Sequence, residues 1–158
     1  MTGADLDGVV EVARVSFPDH PEDRACFAER LALHADGCLA LAADGGPVEG
    51  YIVAYPWKGR AAPALNSLIG ALPQDPDRVY LHDLALGPRA RGGGRTRAAV
   101  QRIADHARAL GLPLIGLVAV NDAVRFWEGQ GFTVVDAPDI RAKLASYGPD
   151  ARCMERVL

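Results

Sequence analysis

The sequence predicts a single α+β domain over residues 1–158, a mixed, mostly antiparallel sheet with a central parallel strand pair, flanked by helices. Three observations lead there. Of the 158 residues, 49% are apolar and 23% charged, which supplies one ordinary core and excludes both a multidomain chain and wholesale disorder. The first half carries an apolar hairpin pattern, the signature of antiparallel sheet. The second half reads strand, amphipathic helix, strand, a crossover that makes a right-handed parallel pair.

The elements follow in order. Asp5 to Phe17 places Leu6, Val9, Val10, Ala13 and Phe17 at near-helical spacing, and Pro18 and Pro21 bracket a polar turn before a second helix from Glu22 to Ala35. Gly37 ends that helix. Cys38 to Ala43 and Val48 to Tyr55 form the hairpin around Asp44-Gly45-Gly46-Pro47. Trp57 to Arg78, with three prolines and two glycines, is an excursion over one face, with a short helix expected at Ala64 to Leu72. Val79 to Leu86 is a strand. The helix beginning near Gly94 carries Val100, Ile103, Ala107 and Leu110 on one stripe and stops at Gly111 and Pro113. Leu114 to Val120 is a continuous apolar run, as expected of a strand covered on both faces. Asn121 or Asp122 caps a short helix through Glu128, Gly131 closes it, and Phe132 to Val135 and Arg152 to Val157 are the last strands.

Seventeen Lys and Arg against 20 Asp and Glu leave a net charge of −3, no field to hold a polyanion, so nucleic acid is not an expected partner. Apolar runs fall well short of the ~20 residues that cross a bilayer, and no secretory leader pattern opens the chain, so a cytoplasmic protein with no membrane partner is expected. Cys26, Cys38 and Cys153 lack metal or disulfide spacing and read as small buried apolar groups; no metal is expected.

The chemistry concentrates at Arg91-Gly92-Gly93-Gly94-Arg95-Thr96, where a strand gives way to a helix. Unpaired N–H groups and the positive end of the helix dipole meet there, and glycine lets an anion approach the main chain. Arg89, Arg91 and Arg95 add charge. Walker A spacing fails, because the residue five before Gly94 is Arg89, and the dinucleotide fingerprint fails, because its third glycine falls at Arg97.

What the segment resembles is the first motif of the GNAT N-acetyltransferase superfamily: Asp83-Leu84-Ala85-Leu86-Gly87-Pro88, then Arg91, Gly94 and Thr96. Asn121, Ala123, Phe126, Glu128, Gly131 and Phe132 match a second family motif in loose form. The resemblance spans Val79 to Val135, with three departures. Thr96 replaces a small Gly or Ala, Trp127 stands where a Tyr protonates the departing thiolate, and the strand that usually opens the fold is missing before the first helix. The resemblance implies acetyl-CoA as acyl donor, its pyrophosphate on Arg91, Gly92, Gly93, Gly94, Arg95 and Thr96 with Arg89 nearby, and its pantetheine between two splayed strands. It implies Leu84, Ala85 and Leu86 as oxyanion donors, and Asn121 and Phe126 as cofactor contacts.

For catalysis, His82 occupies the family's base position, and imidazole titrates near ~6.5, close to physiological pH. Asp83 faces the other side of an ideal strand and reads as a structural partner of an Arg or a backbone group. An indole N–H is not an acid, so Trp127 reads as core, and Tyr147 or a water is the substitute acid. His20, His34 and His106 read as solvated. The implied reaction is acetyl transfer to a primary amine of a small molecule by direct attack in a ternary complex. The other readings are a non-catalytic acyl-CoA or CoA-binding module and a phosphate site for a nucleotide. Asp19, Glu22 and Asp23 either favour the N-terminus of the second helix or, with Phe17, Tyr55 and Trp57, receive a cationic amine. A homodimer is an open expectation.

Overall fold

The computed structural model describes residues 1–136 and 138–158, apart from the side chain of Asp139. The helical spacing of Leu6, Val9 and Ala13 becomes α1 (Leu6–Ser16), which buries those three side chains; α2 (Arg24–Leu33) buries Cys26, Phe27 and Arg30. The hairpin is β1 (Cys38–Ala42) and β2 (Val48–Trp57), followed by β3 (Arg78–Leu86), α3 (Arg95–Ala109) and β4 (Leu114–Ala119). The chain ends with α4 (Val124–Glu128), β5 (Thr133–Val134), α5 (Arg141–Ala145) and β6 (Arg152–Val157). No element was expected where α5 forms. A 3₁₀ turn, Gly3–Asp5, and no strand, precedes α1 among the described residues.

The six strands lie in the order β1-β2-β3-β4-β6-β5, antiparallel throughout except for β3 and β4. On one face Leu6, Val9, Ala13 and Phe27 pack on Tyr51, Val53, Tyr55 and Tyr80. On the other, Val100, Ile103, Ala107 and Trp127 pack on Ile52, Val79, Leu81, Ile115 and Leu117. Removing each of the Val, Leu, Ile and Phe side chains among them from water is worth about 1.5–3 kcal/mol. Leu110, expected on the buried stripe, sits at the end of α3 and is 44% exposed. No helix is long and apolar enough to cross a membrane among the described residues.

The helix expected at Ala64 to Leu72 does not form. Asn66 and Gly70 take φ of +49° and +73°, which no α-helix accommodates, and the segment is held as a strap by its neighbours. The Nη2 of Arg30 donates to the Ser67 carbonyl at 2.8 Å, and the Glu29 carboxylate accepts the N–H groups of Ile69 and Gly70 at 2.8 and 2.9 Å. At its other end, Arg60 and Arg78 converge on Glu155, at 2.8 and 2.7 Å. Asn121 and Asp122 do not cap α4. Both are left-handed, φ +54° and +57°, and the cap position is Ala123.

Candidate active site

The parallel pairing of β3 with β4 consists of Val79–Ile115 and Tyr80–Gly116. Beyond it the strands part, so the β4-facing edge of β3 past Tyr80 meets no strand there. The gap is a cleft of about 510 Å³ that runs from the glycine-rich turn to the loop joining α1 and α2. Leu84, Ala85, Leu86, Arg91, Gly92, Thr96, Asn121 and Phe126 all line it. Arg89, Gly93, Gly94 and Arg95 are not among the lining residues; they belong to the 3₁₀ turn Pro88–Ala90, the glycine turn and the first residue of α3, next in sequence to residues that are.

Gly92, Gly93 and Gly94 have φ of +84°, +63° and +72°, a left-handed run that only glycine adopts without strain. A Cβ on Gly92 or Gly94 would meet no protein atom within 4 Å, so the turn has open space over it. Helical bonding in α3 starts with the Ala98 N–H on the Gly94 carbonyl, 3.0 Å, which leaves the preceding N–H groups of the first turn for an anion. The Nε of Arg91 donates to the Leu86 carbonyl at 3.3 Å, and Nη1 of Arg95 to the Ala90 carbonyl at 3.3 Å, so two of the three arginines also pin the turn. These residues fit a diphosphate.

The far end of the cleft is shaped by a β-bulge. Val53 pairs with Asp83 and Ala54 with Leu81, leaving His82 as the extra residue of β3. The expected alternation therefore fails. His82 lies with Tyr80 toward α1 and α2, their rings 6.0 Å apart, and Asp83 lies toward the same layer, where the Tyr51 hydroxyl donates to Oδ2. The partner of Asp83 is a phenol, not an arginine. Burial pushes the Asp83 carboxyl up to about 6, against the pull of His82 and the Tyr51 bond.

His82 Nε2 and Glu22 Oε2 are 2.7 Å apart, with both side chains 6% exposed. Burial raises the Glu22 carboxyl, but the bond and charge of His82, with Arg30, hold it below the ordinary glutamate value. Glu22 Oε1 accepts the Asn66 N–H at 3.1 Å. Glu22 thus turns inward, Asp23 bonds Asn66, and Asp19 is exposed. Phe17 lines the cleft. Tyr55 is buried beneath His82, ring centroids 5.8 Å apart, and the Trp57 indole donates to the Ala61 carbonyl, outside the cleft.

Tyr147, expected as a substitute acid, lines the cleft but donates its hydroxyl to the Pro63 carbonyl at 2.9 Å. Burial pushes it up to about 12. The hydroxyl proton is thus engaged by a main-chain carbonyl and the phenol is made a weaker acid than usual, both of which disfavour Tyr147 as a proton donor. Trp127 is 8% exposed and packs edge-on against Phe126 and Phe132, as a core residue does. The histidines read as solvated are not. His34 and His106 meet at 2.8 Å between Nε2 atoms, and His20 Nε2 bonds the Tyr147 carbonyl at 3.3 Å. Sequence reasoning missed Tyr51 and Asn66, and although it offered Glu22 as a helix-end acid or a receiver of a cationic amine, it did not pair Glu22 with His82, because no local pattern reports a contact across 60 residues. Among the described residues no group of three or more His, Cys, Asp or Glu side chains could hold a metal.

Comparison with known proteins agrees with this geometry. A search of curated proteins returns no match. Among solved structures, the chain is similar to a GphF GNAT-like decarboxylase in complex with isobutyryl-CoA, with a TM-score of 0.79 and 17% identity over 99% of this chain and 96% of that one. It is similar to Ard1 from Thermoplasma volcanium, TM-score 0.74 and 17% identity over 100% and 94%. It also resembles N-acetylglutamate synthase from Neisseria gonorrhoeae complexed with coenzyme A and N-acetyl-glutamate, TM-score 0.72 and 18% identity over 100% of this chain and 34% of that one. At these identities the likeness is one of fold. The profile of the acetyltransferase (GNAT) family matches residues 6–132, most of the chain and the whole span from α1 to the end of the second motif, and the chain therefore belongs to that family.

Proposed function

We propose that the protein transfers the acetyl group of acetyl-CoA to a primary amine of a small, cation-bearing molecule by direct attack in a ternary complex. One observation carries the reading: a single cleft joins the glycine-rich anion turn to the buried His82–Glu22 pair. Acetyl-CoA supplies a thioester carbonyl, so that a C–N bond forms, a C–S bond breaks and a thiolate leaves. The chain's own residues do the rest. The first-turn N–H groups of α3 hold the diphosphate, and the β3 main chain at Leu84 to Leu86, turned to the gap, offers donors to a developing oxyanion. His82 accepts the amine proton, directly or through a water, and water returns one to the thiolate.

The acceptor class follows from charge. Glu22 and Asp83 line the acceptor end, and Arg91, at the cofactor end, is the one Lys or Arg among the described residues lining the cleft. An ammonium group is favoured there and a carboxylate disfavoured. Buried thiols at Cys26 and Cys38, with no disulfide between them, suit the reducing cytoplasm.

The test is thiol release from acetyl-CoA with a panel of cationic, neutral and anionic amines, with acetylated products identified by mass spectrometry. Release that needs an added amine, is fastest with a cationic one and is lost in His82→Ala supports the proposal. Acetyl-CoA binding without release would make the protein a binding module, and an anionic best substrate would overturn the acceptor class.

A further inference from the structure

Nothing in the family motifs points to the loop between α1 and α2 as part of the proton path, yet that loop supplies the nearest charged neighbour of His82. We infer that Glu22 is the positioning residue for His82, itself held by the strap residue Asn66, and that this pair fixes the imidazole with Nδ1 toward the cleft. The inference rests on His82 as the base of the proposed reaction.

Three contacts lead to it. Oε2 of Glu22 lies 2.7 Å from Nε2 of His82, and a carboxylate offers only acceptors, so Nε2 carries the proton and donates. The other oxygen accepts the Asn66 main-chain N–H at 3.1 Å, so the carboxylate cannot swing away without breaking a second bond. Asn66 is in turn tied to the start of α2: its Oδ1 accepts the Asp23 N–H at 2.7 Å, and its Nδ2 donates to Asp23 Oδ2 at 3.1 Å. The His82 ring also lies close to Tyr55 and Tyr80, at 5.8 and 6.0 Å, which restricts ring flips. No described residue bonds Nδ1, and His82 lines the cleft.

The arrangement divides the labour. Glu22 has both oxygens engaged and its carboxyl held below the usual glutamate range, so it is a poor base. As a fixed anion it stabilises the imidazolium that forms when Nδ1 takes the amine proton, and it keeps the neutral ring in the tautomer with Nδ1 unprotonated. The charged and titratable groups around the ring are Glu22 from the loop, Asp83 and Tyr80 from β3, Tyr55 from β2, Arg30 from α2 and Tyr147 before β6. Glu22 is the one that bonds it.

Two variants and two independent readouts test this. Glu22→Gln keeps shape and an acceptor but removes the charge; Glu22→Leu removes both. Imidazole ¹⁵N spectra of the whole protein, free of substrate, report the tautomer without reference to activity. The expected result is an Nε2-protonated His82 in the wild type and a mixture in Glu22→Leu. In kinetics, kcat falls about 10- to 100-fold in both variants, within what a positioned base supplies, with KM for acetyl-CoA unchanged. A wild-type His82 protonated on Nδ1, or a Glu22→Leu protein with unchanged tautomer and rate, overturns the inference while a dead His82→Ala leaves the reaction standing. A fully active His82→Ala overturns the base, and with it any catalytic meaning of Glu22.

Discussion

Replacing Asp83 by Asn should stabilise the protein at neutral pH and not in acid. The carboxyl is partly buried in the wall of the cleft, receives the Tyr51 hydroxyl and is pushed by burial from 3.8 to about 6. Between those two values the folded state keeps a proton that the unfolded chain has lost, so stability falls as pH rises through the window and the deficit is complete above it. The shift of about 2 pH units corresponds to about 3 kcal/mol of native stability above pH 7, of which about 2 kcal/mol develops between pH 4.5 and 7.5. Asn mimics the protonated acid and still accepts from Tyr51, so the variant is spared that fall. Denaturant unfolding of both proteins at the two pH values reads it directly. The stability difference in favour of Asp83→Asn should grow by about 2 kcal/mol from acid to neutral, and the full deficit corresponds to a rise in Tm of about 6–12 °C. A difference that does not change with pH would refute the account of Asp83 as a buried, strained charge. A destabilising ionised group kept in the cleft also implies use: if it attracts the cationic acceptor, kcat/KM for that amine falls in the same variant that gains stability.

Other expected outcomes follow from the same structure. Gly94→Val meets no steric obstacle but cannot hold φ of +72° without strain, so the turn should leave its left-handed conformation and acetyl-CoA affinity fall at least about tenfold, or 1.4 kcal/mol; equal affinity by calorimetry would place the cofactor elsewhere. Trp127→Ala empties a core position between Phe126 and Phe132 and should cost about 3–5 kcal/mol in denaturant unfolding, whereas a loss under 1 kcal/mol would remove Trp127 from the core. Burial, with the neighbouring His106, holds the His34 imidazole below 6.5, so its share of stability is present above that value and is lost as pH falls through its lower folded value. His34→Gln should therefore flatten the drop in Tm on the acid side of neutrality, and an unchanged pH dependence would show that the pair does not titrate on unfolding.

Much of this protein was legible in its sequence because the signals were local. Apolar periodicity marked α1 and α3, where every buried position lies on one stripe, and the run from Leu114 marked a strand covered on both faces. Three adjacent glycines at a strand-to-helix junction marked the left-handed turn ahead of α3, since only glycine takes that backbone without strain and leaves the space above it open. Those two features, with the second motif, were enough to reach the family.

The reacting end was decided by tertiary structure. Whether Asp83 faces one layer or the other depends on a single extra residue in the pairing with β2, and a bulge has no signature in alternation when the strand is buried on both sides. Glu22 looks like a surface acid beside Asp19 and Asp23 until the strap 58–77, itself read as partly helical, folds over and presents the Asn66 N–H. His34 and His106 lie 72 residues apart, and only the layer packing brings them to 2.8 Å. Backbone preferences and periodicity act within a few residues, so they fix elements; burial, charge pairing and the orientation of a base are set by groups distant in the chain, and these came into view only when the sheet had been assembled.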